Sequence, residues 1–141
     1  MHRRTLLTGT ALAAAALTLG HLSGFSPAFT PTWAATQTPF TARALGVAQE
    51  AGRPILIAVH AGWCPVCTKQ KPIISSLMQT PEFQDLVILT VDYDNQKDVL
   101  KTLGVTKQST LIVMHGAAER GRSVGVTSEA DIHALMAKAR I

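Results

Sequence analysis

Residues 60–72 read His60-Ala61-Gly62-Trp63-Cys64-Pro65-Val66-Cys67-Thr68-Lys69-Gln70-Lys71-Pro72, and both cysteines of the chain lie in this stretch. It follows directly on Pro54–His60, PILIAVH, an unbroken apolar run after a turn signal, as expected of a strand covered on both faces. From Cys64 to Thr80 the pattern becomes helical, with Ile73, Ile74, Leu77 and Met78 as the inward stripe and Pro72 kinking it. The cysteines therefore sit three positions apart at the start of a helix that a central strand feeds. At that place free N–H groups and the positive end of the helix dipole favour a thiolate over a thiol. The pair can close a small ring while the first sulfur remains exposed. Cys64 is thus expected to attack a partner disulfide, and Cys67, one turn further in, to resolve the mixed disulfide.

The neighbours fit that chemistry. Pro65 stands where a helix tolerates proline best, since its missing N–H would have no intrahelical partner. Trp63 offers a flat apolar surface beside the reactive sulfur, or else packs into the core. Two other uses of the cysteines compete. A purely structural disulfide closes so short a loop that it removes little chain entropy. A structural zinc wants four Cys or His ligands, so His60, His115 or His133 would have to converge on the pair.

Working outward, Thr38–Ala51 carries Phe40, Ala44, Val47, Ala48 and Ala51 at helical spacing, with Thr38 as cap, Pro39 in the first turn and an end at Gly52. Leu86–Asp94 reads as a second buried strand and Asn95–Gly104 as a capped helix with a terminal glycine. Ser109–Met114, a turn at 115–118 and Glu119–Gly125 form a hairpin whose polar second strand lies near an edge. Ser128 then starts a helix with Ile132, Leu135, Met136 and Ala139 on one side. The order helix, strand, helix, strand, helix, strand, strand, helix predicts an α/β sandwich with a mixed central sheet.

Upstream, Met1–Leu22 has a charged start at Arg3-Arg4 followed by an Ala/Leu/Thr/Gly run without acidic residues, the pattern of an export signal. The paired arginines ahead of a weakly hydrophobic run resemble a twin-arginine signal, although His2 and Thr5-Leu6-Leu7 depart from the usual flanks. A membrane anchor is the alternative, but Gly9, Gly20 and His21 interrupt the run. Residues 23–38 form a Pro/Ser/Thr-rich connector, and Thr32-Trp33-Ala34 is an acceptable cleavage site. The expected division is a signal and linker at 1–34 and one domain at 35–141. The 141 residues have room for one ordinary domain, and 47% are hydrophobic. Losing Arg3 and Arg4 halves the formal charge of +4. Neither that balance nor any basic run points to nucleic acid.

With the strand, Trp63-Cys64-Pro65-Val66-Cys67, Pro72, Val91-Asp92, Gly104-Val105 and Gly125 in place, the chain resembles the thioredoxin superfamily over nearly all of its part after the signal. The resemblance implies a three-layer α/β/α fold with Cys64 as attacking and Cys67 as resolving thiol. Three positions depart from the family pattern. Ser109 stands where a cis-proline usually faces the disulfide, so the Gln108–Ser109 bond is expected to be trans, because a non-proline cis bond costs about 3 kcal/mol. Ala58 replaces a buried Asp that assists proton transfer, leaving His60 as a candidate helper. Pro65-Val66 replaces the usual Gly-Pro, and proline after the first cysteine resembles glutaredoxins and the DsbA-type oxidase.

The leading expectation is a periplasmic thiol–disulfide oxidoreductase, tilted toward reduction and serving redox homeostasis outside the cytoplasm. It would be a monomer with no cofactor beyond the Cys64–Cys67 disulfide and no resident metal. Protein disulfides would dock on Trp63, Pro65, Val66, Gln108, Ser109 and Gly125, and a membrane thiol relay would supply electrons. The alternative is a copper-handling protein using Cys64, Cys67 and a histidine, since two thiolates suit a soft ion. A third class binds a partner through Trp63 without turnover.

Overall fold

A computed structural model of the chain describes residues 35–141, so the signal and linker read at 1–34 lie outside the described residues. The described elements are strand β1 (Thr36–Pro39), helix α1 (Ala42–Glu50), β2 (Pro54–His60), α2 (Pro65–Leu77), β3 (Val87–Asp92), α3 (Lys97–Thr102), β4 (Thr110–His115), β5 (Ala118–Val124) and α4 (Glu129–Ala137). Short 3-10 turns follow α2 at Pro81–Phe83 and α4 at Lys138–Arg140. The strands form one mixed sheet in the order β1-β3-β2-β4-β5, parallel at β1–β3 and β3–β2 and antiparallel at β2–β4 and β4–β5. β2 is the central strand, as its apolar run requires.

Its alternating side chains explain the layers. Ile55, Ile57 and Val59 join Phe40, Ala48, Leu89, Leu100 and Val105 in the cluster that also takes Ala44 and Leu45 of α1. Leu56 joins Ile74 and Leu77 of α2 and Ile132, Leu135 and Met136 of α4 in the other. Helices thus cover both faces of the sheet, the arrangement that leaves a central strand no polar side. Fully burying a Leu or Ile side chain contributes about 2 kcal/mol, so these two clusters hold the sheet from both sides.

The N-terminal reading needs correction. Thr38 and Pro39 are not the cap and first turn of a helix but the end of β1, which lies at the sheet edge beside β3 with all four residues exposed. Its backbone, with Thr36 N–H donating to Leu86 O at 3.2 Å, makes it a strand. The helix starts later, where the Thr41 hydroxyl accepts Ala44 N–H at 3.0 Å, and Phe40 fills the core between the two elements. α2 also ends at Leu77 rather than Thr80, and it runs through Pro72 without breaking. The hairpin is as expected, with β5 at the far edge and a bulge between Val113 and Met114.

Candidate active site

The site forms where the C-terminal end of β2 passes into α2. Cys64 is itself the N-cap of α2, in extended conformation, and its Sγ accepts the Cys67 N–H at 3.1 Å. Pro65 occupies the first helical turn and has no N–H to leave unpaired. The cysteines are disulfide-bonded, with their Cα atoms 5.3 Å apart. Cys67 Sγ lies 3.8 Å from Val59 O on β2, the acceptor within reach of its thiol after reduction.

The expectation that the first sulfur is exposed is wrong. Cys64 is 1% and Cys67 2% exposed, packed with Ala61 and with the partly buried Val66 and Tyr93. Tyr93, which sequence reasoning missed, is fixed from three directions. Its hydroxyl donates to Thr106 O at 3.1 Å, the Lys97 ammonium sits 4.3 Å from its ring centroid, and Trp63 meets it edge-on at 6.4 Å. It is the chain's single tyrosine, immediately after the Val91-Asp92 strand end, and that was the available signal.

Trp63 is 61% exposed, so it is not a core residue. Its indole N–H donates to Asp94 at 3.0 Å, which orients the ring beside the cysteines. Asp92 organises the same loop. Its carboxyl is held below the usual carboxylate range, first by the Asn95 side-chain amide at 2.8 Å and then by the backbone N–H groups of Asn95 and Asp94. Each of these donors favours the charged form.

In the segments before β4 and after β5, Ser109 and Thr110 are buried, Gln108 is partly buried and Gly125 is exposed. No cis peptide bond occurs among the described residues, so the Gln108–Ser109 bond is trans as expected. Ser109 nevertheless has φ +57°, the left-handed region, which costs a non-glycine residue about 1–2 kcal/mol. Its N–H donates to Val59 O at 2.9 Å, and its carbonyl accepts from Gly125 N–H at 3.0 Å. The carbonyl also accepts from the Gln70 side chain at 3.2 Å. Ser109 and Gly125 are thus joined to each other, and Ser109 is joined through Val59 O to the strand end that Cys67 Sγ approaches.

Ala58 lines a cavity of about 110 Å³ together with Cys67, His60, Gln70, Lys71 and Thr90. That is room enough for water beside the resolving sulfur. His60, named as a proton-transfer candidate, faces this cavity, and so does Lys71, which was not. The copper alternative finds no support. Among the described residues no three His, Cys, Asp or Glu side chains converge on a common point. His115 is engaged with Ala139 O at 2.8 Å and His133 with Glu82 at 2.9 Å.

Comparison with known proteins agrees with this geometry. The family model described as Thioredoxin matches residues 33–138. The chain is 32% identical to a thioredoxin H-type of Brassica campestris over 67% of this chain and 74% of that one. It is 29% identical to thioredoxin H2-1 of Oryza sativa subsp. japonica, the match spanning 53% of that protein, about half its length. The crystal structure of Trxlp from Edwardsiella tarda EIB202 superposes with a TM-score of 0.70 at 36% identity, covering 72% of this chain and 98% of that one. The thioredoxin Mala s 13 of Malassezia sympodialis shares the fold at 17% identity, with a TM-score of 0.65 over 74% of this chain and 93% of that one.

Proposed function

The chain belongs to the thioredoxin family of thiol–disulfide oxidoreductases, and from that premise we propose that it reduces protein disulfides outside the cytoplasm, as an exported monomer. The observation that carries the reading is the position of Cys64 Sγ at the N-cap of α2, accepting the Cys67 N–H. In the reduced protein that N–H and the helix dipole hold a Cys64 thiolate. The thiolate attacks one sulfur of a substrate disulfide, forming a mixed disulfide and releasing one substrate thiolate. Cys67 loses its proton toward the cavity lined by His60 and Lys71 and attacks Cys64 Sγ. The second substrate thiolate leaves, two electrons have passed to the substrate, and the Cys64–Cys67 disulfide has formed. A dithiol donor at the membrane must reduce it again.

The reducing direction is part of this proposal, and it is supported by the resemblance of Trp63-Cys64-Pro65-Val66-Cys67 to the thioredoxin motif and by the small number of groups on Cys64. Disulfide oxidants of this fold owe their potential to a stabilised reduced form. Here the Cys67 N–H reaches Cys64 Sγ, Pro65 has no N–H, and the Val66 side chain brings no charge or donor comparable to a His. Export rests on Arg3-Arg4 and the apolar run behind them. The docking surface is Trp63 with the Gln108–Ser109 and Gly125 loops.

One experiment tests both halves. The full chain carrying Cys67→Ser, expressed with its N-terminus intact, is expected to accumulate in mixed disulfides through Cys64 with proteins of the periplasmic fraction. Mixed disulfides confined to the cytosolic fraction would contradict export, and none in either fraction would contradict exchange through Cys64.

A further inference from the structure

Gln70 lies one turn beyond Cys67 on the inward side of α2 and is 3% exposed. Its side-chain amide donates to Ser109 O at 3.2 Å and to Val126 O at 2.9 Å. Two carbonyls facing one end of the side chain identify that end as the NH₂ group, which alone carries two donors. Burying an amide on an otherwise apolar helix face is unfavourable unless it makes such bonds. The buried residues of α2 are Cys67, Gln70, Ile74 and Leu77, so the polar member of the row is the one at the level of the loops.

Those loops are distinct. Ser109 precedes β4 and Val126 follows β5, and Gly125 N–H closes the gap between them by donating to Ser109 O at 3.0 Å. Ser109 needs holding, because its φ of +57° is one that side chains rarely adopt. A proline ring, which fixes φ near −65°, cannot take that conformation. We propose that Gln70 is a positioning residue for exchange with protein disulfides. It locks Ser109 in the left-handed conformation and ties the 125–126 loop to the cysteine helix. The surface from Gln108 to Gly125 is thereby fixed relative to Cys64, in the place where the family pattern has a proline.

This inference rests on the oxidoreductase reading and narrows it to substrate class. On the docking surface proposed above an extended protein chain spans the two loops, whereas a small aromatic disulfide exchanges at Cys64 Sγ without spanning them. The test therefore compares the full-length wild type with Gln70→Met, which keeps the volume and loses the donors. Insulin, with dithiothreitol as electron donor, is the protein probe, and dithionitrobenzoate is the small one. KM for insulin is expected to rise about fivefold, the factor carried by one hydrogen bond of ordinary net strength, and the insulin-to-dithionitrobenzoate ratio of kcat/KM to fall by the same factor, since any effect on resolution by Cys67 is common to both probes. An unchanged KM, or equal losses with both probes, overturns the proposal. A wild type inert toward both probes overturns the oxidoreductase reading instead. Should Gln70→Met fail to fold, the wild type still decides. Its Gln70 side-chain amide protons are expected to exchange with solvent at least about tenfold more slowly than those of exposed Gln79. Equal rates overturn the proposal.

Discussion

Cys64→Ser is expected to reduce insulin at a rate at least on the order of a thousandfold below the wild type, because the group that forms the covalent intermediate is gone. The fold survives the change. Opening a ring between residues three apart removes a constraint worth about 2 kcal/mol in the chain-entropy model, and both sheet faces keep their clusters. Circular dichroism should therefore be unchanged while the activity is lost. Residual turnover within tenfold of the wild type would mean that Cys64 is not the attacking thiol.

Phe83→Ala should do the reverse. Phe83 is completely buried, shares a cluster with Leu86, Ile88, Leu111, Ile132 and Met136, and meets the His133 ring edge-on at 5.2 Å. Truncating a buried Phe leaves a cavity the surroundings cannot refill and costs about 3–5 kcal/mol. That is a large share of the stability of a domain this size, so the midpoint of urea denaturation should fall sharply. The folded fraction should exchange disulfides at the wild-type rate, since Phe83 is in the 3-10 turn after α2 and outside the cysteine site. A loss below about 1 kcal/mol would contradict the packing around the turn.

These two residues also show what the sequence discloses. The cysteine helix, the central strand and the last helix are legible because each has local punctuation and an apolar pattern of its own. Pro54–His60 and Ser128–Ala137 needed no tertiary knowledge. β1 is not legible in the sequence because an edge strand of four exposed residues has no inward face to alternate, and Thr38-Pro39 imitates a helix start. Only pairing with β3 makes it a strand. Phe83 lies in a stretch without periodicity, where burial is decided by what packs over it.

The candidate site divides in the same way. Trp63, Cys64, Pro65, Val66 and Cys67 announce themselves by spacing, and Ser109 by the proline it replaces. Gln70 and Tyr93 do not. Gln70 matters because two loops distant in sequence bring their carbonyls to it. Tyr93 matters because it packs against the cluster that buries Cys64 and Cys67, where the spacing alone suggests an exposed Cys64. A polar residue in the inward row of α2 and a lone tyrosine at a strand end were the only hints.

The most direct test is the equilibrium of the Cys64–Cys67 bond in the full chain, read by thiol alkylation across graded thiol/disulfide buffers. With one backbone N–H on Cys64 Sγ and no charge from Val66, the account predicts a single two-electron transition near thioredoxin's potential, about −270 mV. A value near that of the DsbA-type oxidase, about −120 mV, would contradict it and make the protein a donor of disulfides.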